Sequence, residues 1–300
     1  MIKFENKVVV VTGAGRGLGK CYALEFARRG ARVVVNDVGP SEQSGGSGKA
    51  ALDVVNMIKD AGGEAVADYH TVAEEEAAGE IIRTAADNYG RVDILVNNAG
   101  IVRDRSLVKM TAEDFDAVLK VHLYGSFYVT KAAFPLMKDN NWGRIIMITS
   151  PTGLYGNFGQ VNYGSAKLGL VGFMNVLKEE GKRYNILVNT ISPVATTPMG
   201  KDVPVPMFSE KMQPEHVAAA VLYLCSDRSQ SSGDIIFAGG GYFSRVQLVV
   251  SEGAFIAGDG ITPEMFEEYL PLITDMSKAK GYENAKEAVD DMQRRIGIKD

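Results

Sequence analysis

The sequence has little cysteine and little histidine. Its two cysteines, Cys21 and Cys225, stand far apart in apolar segments, and its three histidines are scattered over 300 residues. This excludes a disulfide framework, as is typical of a reducing compartment, and both cysteines are expected to be buried free thiols. Neither residue type has the spacing of zinc ligands, so no metal site is predicted.

Long apolar runs and blocks of one charge are also missing. No apolar stretch approaches the ~20 residues of a membrane span, and the polar residues Lys3, Glu5 and Lys7 stand where a signal peptide would be apolar. The net charge of −5 is mild, without a basic stripe for nucleic acid. We therefore expect a cytoplasmic protein whose partner is a small molecule, with no nucleic acid and no membrane.

What is present is an alternation of buried strands and helices. Apolar runs that predict strands covered on both faces are Lys7–Thr12, Arg32–Asp37, Ala65–Tyr69, Asp93–Asn97, Arg144–Thr149, Leu187–Ile191 and Asp234–Phe237. Helical patterns lie between them, at Lys20–Arg29, Lys49–Ala61, Glu74–Tyr89, Ala112–Leu136, Tyr163–Tyr184 and Pro214–Cys225. Since strand–helix–strand crossovers are right-handed, residues 1–245 are predicted to form an α/β domain, a doubly wound parallel sheet with helices on both faces.

The alternation is lost from about Val246. Two amphipathic helical patterns follow, Pro263–Lys280 and Glu283–Arg295. Residues 246–300 are too few for a large core of their own. They are expected to form a helical C-terminal extension rather than an independent domain.

A glycine-rich loop connects the first strand to the first helix. After Thr12 it reads Gly13-Ala14-Gly15-Arg16-Gly17-Leu18-Gly19. Glycines allow a tight turn and a close backbone approach, and the helix that follows offers free N–H groups to a pyrophosphate. An ordinary glycine-rich turn is the alternative, but the position between a buried strand and a helix favours a dinucleotide site.

Asp37 closes the second predicted strand. A carboxylate there can accept hydrogen bonds from the adenosine ribose and repel a 2′-phosphate, which favours NAD. Arg16 favours NADP instead, because a cation in the loop can pair with that phosphate. Repulsion of like charges at short range is the stronger effect, so NAD is the expected cofactor. The alternative is that Asp37 is a solvated loop acid.

Tyr163 and Lys167 are four positions apart on a predicted helix and share one face. A nearby ammonium stabilises phenolate and so favours a tyrosine that exchanges a proton near neutral pH. Ser150 follows the fifth predicted strand, at the end where open α/β sheets bind ligands, and its hydroxyl can hold a substrate oxygen. On an arbitrary helix a tyrosine and a lysine at this spacing would be a surface pair. The hypothesis of a catalytic site therefore depends on the position of Ser150 at the end of the fifth strand.

These motifs, together with Asn97-Asn98-Ala99-Gly100 after the fourth strand, resemble the short-chain dehydrogenase/reductase family over about residues 7–241. The resemblance implies a Rossmann-type sheet and hydride transfer between NAD and a secondary alcohol or ketone. Tyr163 would then exchange the proton, Lys167 would lower its pKa and hold the nicotinamide ribose, and Ser150 would orient the carbonyl. Further cofactor contacts are implied for Gly13, Arg16, Gly17, Leu18, Gly19, Asp37, Thr71, Val72, Asn98, Ala99, Gly100, Pro193, Ala195, Thr196 and Thr197. Thr71 stands where many members have aspartate.

His122 is a departure from the family pattern. Many members have asparagine in this segment, where it holds a water of the proton relay. A histidine can hold that water or transfer the proton itself. The alternative is a structural histidine whose hydrogen bonds are satisfied in the core.

Four stretches resemble a narrower group, the (3R)-hydroxyacyl-CoA dehydrogenase domain of peroxisomal multifunctional enzyme type 2. They are Val34–Asp37, Gly100–Ser106, Val121–Phe127 and Tyr155–Tyr163. The group implies oxidation of a 3-hydroxyacyl-CoA or a hydroxysteroid, beneath a substrate lid at Val203–Met212. Alternatives are a ketoreductase for another small or hydrophobic alcohol, or a non-catalytic NAD sensor or scaffold.

The family commonly forms oligomers through the helices after the fourth and fifth strands. Here these helices carry apolar residues such as Leu168, Leu170 and Phe173. A homodimer or homotetramer is therefore expected. The alternative is that these residues face only their own sheet.

Overall fold

The structure is a computed structural model that describes residues 1–39, 49–196, 211–258 and 260–298. The chain divides into two compact units, Met1–Arg245 and Val246–Asp300, and each is described by itself. That residues 246–300 are an extension rather than an independent domain stays a prediction.

An eight-stranded sheet forms the centre of the first unit, in the order β3-β2-β1-β4-β5-β6-β7-β8. Its strands are β1 Val8–Thr12, β2 Arg32–Asn36, β3 Glu64–Asp68, β4 Ile94–Asn97, β5 Gly143–Ile148, β6 Ile186–Pro193, β7 Ile235–Gly239 and β8 Tyr242–Val246. The pairs from β3 to β7 are parallel. The order reverses at β1, where β2 and β4 flank it on either side, and this confirms the predicted doubly wound, Rossmann-type sheet.

Eight α-helices accompany these strands in the described part of the first unit. They are α1 Gly17–Arg28, α2 Lys49–Asp60, α3 Glu75–Tyr89, α4 Ala112–Leu119, α5 Gly125–Asp139, α6 Pro151–Tyr155, α7 Val161–Gly181 and α8 Pro214–Leu224. Helix α1 packs against α2 and α8, whereas α3 packs against α5 and α4 against α7. Both faces of the sheet are therefore covered, as predicted.

The side chains of β1 show why the central strands are uniformly apolar. Val8, Val9, Val10 and Val11 are completely buried. Successive side chains of a strand point to opposite faces, and both faces carry helices. Burial of each valine stabilises the fold by about 1.5–3 kcal/mol relative to an exposed valine.

One predicted helix is divided in the structure, and two further elements were not predicted. The predicted helix Ala112–Leu136 is divided by a π-helical turn, Lys120–Tyr124, between α4 and α5. The helix α6 and the strand β8 have no counterpart among the predictions. Strand β8 follows β7 after Gly240 and Gly241, whose φ angles of 59° and 84° suit a two-residue hairpin. Such a short connection makes β8 antiparallel to β7.

The single tryptophan of the chain lies beside β5. The Nζ of Lys7 is 3.4 Å from the centroid of the Trp142 ring, and the guanidinium of Arg144 is 4.3 Å away from it. Arg144 is buried and donates to the carbonyls of Gly143 and Asn185. Two cations therefore contact this one indole ring.

The second unit contains α9 Pro263–Ile273 and α10 Ala285–Arg295, both shorter than the predicted helices. A backbone bridge joins Val250 to Lys280. Asp291 on α10 accepts hydrogen bonds or ion pairs from four side chains: Tyr282, Lys280, Arg294 and Arg295. Across the described residues of both units, no helix is long and apolar enough to cross a membrane.

Candidate active site

The candidate site is assembled at the carboxyl edge of the parallel strands. Ser150 follows β5, Pro193 ends β6, and Asn98 follows β4. Because β4, β5 and β6 are neighbours and parallel, the chain leaves all three at the same edge. Helix α7, which carries Tyr163 and Lys167, begins at the same edge.

Ser150 and Tyr163 lie together in this cleft. The extended residue Ser150 caps α6, where its Oγ accepts a hydrogen bond of 3.1 Å from the Thr152 amide. Burial raises the pKa of the Tyr163 phenol, and a hydrogen bond with the Ser150 side chain opposes that rise. The charge of Asp104 raises the same pKa further. The tyrosine by itself is therefore a proton donor at neutral pH.

Lys167 lies one turn further along α7 and is buried. Its Nζ donates a hydrogen bond of 2.5 Å to the carbonyl of Ile148, at the end of β5. The same Nζ is 5.5 Å from the centroid of the Tyr163 ring. Burial lowers the pKa of Lys167 to about 7, so its charge changes near neutral pH.

His122 occupies the middle of the π-helical turn and is also buried. Its ring stands edge-on to Tyr163, with centroids 5.2 Å apart and planes at 87°. Nε2 is 2.8 Å from the carbonyl oxygen of Ile101 and 3.1 Å from its amide nitrogen. The shorter contact favours a proton on Nε2, which leaves the buried Nδ1 as an acceptor without a partner among the described residues.

Burial, and secondarily the charge of Lys167, hold the pKa of His122 well below its usual value. The imidazole is therefore neutral near pH 7. Gly100 lets the ring lie so close, because a Cβ on that residue would be 3.2 Å from both ring nitrogens and closer still to Cε1.

The glycine loop is braced from beneath by Thr12 and Asn98. Thr12 Oγ1 accepts from the amides of Asn98 and Ala99, at 3.0 and 3.1 Å. Asn98 Nδ2 donates to the carbonyls of Thr12 and Gly13, at 2.9 and 3.0 Å. Gly13 has a φ of 63°, which a side chain rarely allows. These bonds fix the loop to the segment after β4, and the Arg16 side chain, which precedes α1, makes no capping hydrogen bond to the first turn of that helix.

The remaining loop residues occupy different environments. Gly17 begins α1 with a φ of 54°, and Gly19 is buried against the Gly13 carbonyl and the Asn98 side chain. Leu18 is half-buried and packs against the core. Arg16 is exposed at the first position before the helix.

Asp37 follows β2 and is held by the backbone on both sides. Its Oδ2 accepts from the Gly15 amide at 2.9 Å, and its Oδ1 accepts from the Gly39 amide at 2.8 Å. A Cβ on Gly15 would be 2.8 Å from Asp37 Oδ2. The carboxylate therefore contacts the glycine loop directly.

Thr71 and Val72 follow β3. The Thr71 hydroxyl accepts a hydrogen bond of 3.2 Å from the Ala73 amide, and Val72 is buried against Gly125. Asp68, the last residue of β3, is engaged by the side chains of Asn36, His70 and Thr84.

The segment after β6 completes the described part of the cleft. Val194, between Pro193 and Ala195, donates to the Ala238 carbonyl at 2.8 Å, and the Thr196 amide donates to the Met212 carbonyl at 2.8 Å. Thr197 and the predicted lid up to residue 210 lie outside the described residues.

A family model for the short chain dehydrogenase matches residues 7–204. This chain belongs to the short-chain dehydrogenase family. It is therefore an oxidoreductase of the type that interconverts secondary alcohols and ketones.

Three known proteins illustrate what the chain is similar to. Peroxisomal multifunctional enzyme A of Dictyostelium discoideum is 46% identical over 99% of this chain and 67% of its own length. The solved structure of full-length peroxisomal multifunctional enzyme type 2 from Drosophila melanogaster has a TM-score of 0.83 at 41% identity, over 98% of this chain and 50% of that one. A 7α-hydroxysteroid dehydrogenase complexed with NADH and 7-oxo glycochenodeoxycholic acid has a TM-score of 0.72 at 32% identity, over 80% and 95%. The chain thus spans only part of the two multifunctional enzymes.

The cleft suits the nicotinamide cofactor of this family. A pyrophosphate requires a close backbone and free N–H groups, and the Gly13–Gly19 loop supplies both at the N-terminus of α1. A ribose requires an acceptor at the end of β2, where Asp37 stands. Among the described residues there is no group of side chains that could bind a metal ion.

Sequence reasoning missed three polar residues that support the short-chain dehydrogenase site. Thr12 precedes the glycine loop, and the sequence pattern indicates no role for it, although its hydroxyl accepts hydrogen bonds from the Asn98 and Ala99 amides. Asp68 and Asn162 were not singled out, and both are buried among hydrogen-bond partners. No sequence signal distinguishes a buried asparagine from an exposed one, because burial depends on the packing of distant segments.

Proposed function

We propose that this chain is an NAD-dependent dehydrogenase that interconverts a 3-hydroxyacyl-CoA and the corresponding 3-ketoacyl-CoA. The observation that carries the proposal is the convergence of Ser150, Tyr163 and Lys167 at the carboxyl edge of β5, beside a glycine loop suited to a dinucleotide. When bound, the cofactor would supply the hydride chemistry: NAD would accept hydride from the carbinol carbon in oxidation, and NADH would donate it to the ketone carbon in reduction.

Tyr163 is the proposed proton-exchanging residue. In reduction its phenol donates the proton to the substrate oxygen, and in oxidation the phenolate accepts the hydroxyl proton. Ser150, whose side chain hydrogen-bonds with Tyr163, is proposed to hold the same substrate oxygen. Its hydrogen bond opposes the rise that burial causes in the pKa of Tyr163, which assists the phenolate form.

Lys167 is proposed to supply the positive charge of the site. Its ammonium, 5.5 Å from the ring centroid of Tyr163, favours the phenolate through space. With one proton of Nζ directed to Ile148, the other N–H groups are available to a ribose hydroxyl.

His122 is proposed to take the place of the asparagine that many relatives have. Its Nδ1 is a buried acceptor, and the charge of Lys167 acts on the same ring. A water between Nδ1 and Lys167 would donate a hydrogen bond to Nδ1 and accept one from the Lys167 ammonium. Such a water would be part of a proton relay that begins at Lys167. Because the imidazole is neutral near pH 7, its role is to hold this water rather than to carry a charge.

The choice of NAD over NADP rests on Asp37. The two backbone hydrogen bonds hold the Asp37 carboxylate in one position. A 2′-phosphate at this end of β2 would therefore be repelled by a fixed negative charge that cannot move away from it. Arg16 is exposed and can meet such a phosphate, but it does not remove that charge. Asp37 is therefore the stronger determinant.

The acyl-CoA assignment rests on the likeness to multifunctional enzymes over nearly the whole chain. The 7α-hydroxysteroid dehydrogenase is less similar, so a hydroxysteroid or another hydrophobic alcohol is the second candidate substrate. A non-catalytic sensor is not favoured, because serine, tyrosine and lysine are all present and close together.

A turnover screen tests the function. Purified protein is assayed in both directions with acetoacetyl-CoA, 3-hydroxybutyryl-CoA, a longer 3-ketoacyl-CoA, a hydroxysteroid and a simple secondary alcohol, each with NAD(H) and NADP(H). We expect turnover with the thioesters and NAD(H), and a loss of at least about 10³-fold in kcat in Tyr163→Phe. Undiminished activity in that variant, or turnover of the alcohol or steroid alone, would refute the proposal.

A homodimer or homotetramer is also proposed. Apolar side chains on α5 and α7 are exposed in the single chain, among them Phe127, Leu168 and Val176. Light scattering after size exclusion should give a multiple of 32.3 kDa.

A cytoplasmic location remains a prediction. Since two of the relatives are named as peroxisomal, imaging of a tagged chain has to distinguish the cytoplasm from the peroxisome.

A further inference from the structure

Asn162 is a completely buried polar residue in the first turn of α7, directly before Tyr163. Its Oδ1 accepts a hydrogen bond of 2.7 Å from the Tyr163 amide. That amide is one of the first N–H groups of a helix, which have no acceptor within the helix itself. The asparagine thus satisfies the backbone of the catalytic residue.

The other half of the same side chain contacts two different segments. Nδ2 donates to the Arg103 carbonyl at 3.0 Å and to the Asp114 carbonyl at 3.2 Å. Both amide protons and the amide oxygen are therefore used. One side chain joins the start of α7, the segment after β4 and the first turn of α4.

The two joined segments are the ones that hold His122. Arg103 lies two residues after Ile101, whose backbone contacts the imidazole Nε2. Asp114 lies in α4, which continues without interruption into the π-helical turn that carries His122. Displacement of either carbonyl would therefore change the edge-on contact between the His122 and Tyr163 rings.

We propose that Asn162 is a positioning residue, which fixes Tyr163 relative to His122 by joining the N-terminus of α7 to the two segments that hold the imidazole. The inference rests on the proposed function, because it concerns the geometry of that same proton transfer. Asn162 has no described bond to the glycine loop or to Asp37. Cofactor binding should therefore not depend on it.

The alternative is that Asn162 only stabilises the fold, and the chain offers a matched control for this. Asn189 in β6 is equally buried, donates to the Ser231 carbonyl at 2.7 Å and accepts from the Asp234 amide at 3.0 Å. It likewise joins two backbone segments through one amide, but these segments precede β7 and do not hold a catalytic residue.

The test compares Asn162→Asp with Asn189→Asp in the full chain. Each change keeps the shape and the acceptor oxygen but replaces the donors with a carboxylate that faces a carbonyl. Both should lower the melting temperature. We expect kcat for acetoacetyl-CoA to fall about 10²-fold in Asn162→Asp alone, since a displacement of about 1 Å in a reacting group costs that much. The Kd for NADH should be unchanged in both variants.

Equal kcat values in the two variants would overturn the inference. If Asn162→Asp does not fold, Asn162→Ala removes the same donors without a charge, and the same loss of kcat with normal NADH binding is expected. Loss of NADH binding in Asn162→Ala would make Asn162 a folding residue and refute the positioning role. If the wild-type protein shows no turnover, both the proposed function and this inference are overturned. This outcome is distinct from a failure of the positioning role alone, because it is seen in the wild type before any variant is compared.

Discussion

The His122 imidazole stands edge-on to the Tyr163 phenol, with ring centroids 5.2 Å apart. A buried, neutral histidine is thereby in contact with the residue proposed to exchange the proton. Its Nε2 is held by Ile101, and its Nδ1 has no partner among the described residues. A histidine that served only the core would be expected to have both nitrogens satisfied.

Replacement of His122 by asparagine should preserve activity better than replacement by leucine. Asparagine keeps a polar group that can hold a water, whereas leucine leaves the site apolar. We expect kcat to fall by about 10²-fold in His122→Leu, the lower end of what a proton-transfer group contributes, and much less in His122→Asn. Equal losses in both variants, together with equal falls in melting temperature, would indicate a structural histidine.

The pH profile gives a second reading of the same residue. Burial and the charge of Lys167 hold the pKa of His122 well below its usual value. His122 should therefore not titrate between pH 6 and 8, and the pH profiles of wild type and His122→Asn should have the same inflections in this range. An inflection in this range that disappears in the variant would contradict a neutral imidazole.

Lys167 should make the stability of the fold depend on pH. Burial lowers its pKa to about 7 from the ordinary 10.5, so between these values the unfolded chain binds a proton that the folded chain does not. The free energy of unfolding therefore rises with pH across this window, by up to about 1.4 kcal/mol per pH unit from this group. Below pH 7 both states are protonated, and the contribution is constant and unfavourable.

The measurement is urea unfolding of wild type and Lys167→Met at several pH values from 6 to 10. The difference in free energy between the two proteins should change with pH above 7 and be constant below it. Lys59→Met, which removes an exposed lysine, is the control and should show no such trend. A constant difference for Lys167→Met over the whole range would refute the lowered pKa.

Asp37→Ala should shift the cofactor preference toward NADP without making NADP a good cofactor. The 2′-phosphate would no longer meet a fixed carboxylate, so the ratio of kcat/KM for NADP to that for NAD should rise by about 10²–10³-fold, equivalent to about 3–4 kcal/mol. The Gly15 amide would lose its acceptor, so kcat/KM with NAD should fall.

Arg16, the exposed cation of the glycine loop, provides a matched comparison for the effect of Asp37 on the choice of cofactor. In the Asp37→Ala background, a further Arg16→Ala should lower kcat/KM for NADP more than for NAD. If NADP use does not respond to Arg16, or if Asp37→Ala leaves the preference unchanged, Asp37 is not the determinant.

Gly100→Ala should destabilise the protein chiefly through its contact with His122, whose ring atoms are nearest to the added methyl group. The new methyl group would lie within 3.2 Å of both ring nitrogens, and overpacking of this kind costs about 1–3 kcal/mol. Urea unfolding of Gly100→Ala, His122→Ala and the double variant should show strong non-additivity, because the smaller residue at 122 makes room for the methyl group. Additive effects would show that the methyl group is accommodated elsewhere.

The parts of the fold that the sequence predicts are those with a strong local signal. The buried strands are continuous apolar runs, and Tyr163 and Lys167 share a helix face through the helical period alone. The carboxyl-edge position of Ser150 follows from the parallel sheet. These features follow from local sequence patterns and do not depend on particular tertiary contacts.

The features that were missed depend on tertiary contacts. Strand β8 is largely exposed and lacks the apolar run of a central strand, so its pairing with β7 depends on the glycine hairpin. The π-helical turn coincides with the packing of His122 against Gly100, which are distant in sequence. Asn162 and Asp68 are buried only because separate segments surround them, and a sequence pattern does not report this.

The position of Trp142 has a practical consequence for the two compact units. The chain has one tryptophan, and it lies in the first unit between Lys7 and Arg144. Intrinsic tryptophan fluorescence is therefore a site-specific probe of Met1–Arg245, whereas Val246–Asp300 emits only through tyrosine. Circular dichroism records the helices of both units. Denaturation curves from the two signals that do not superimpose would reveal that the carboxyl-terminal unit unfolds as a separate cooperative step.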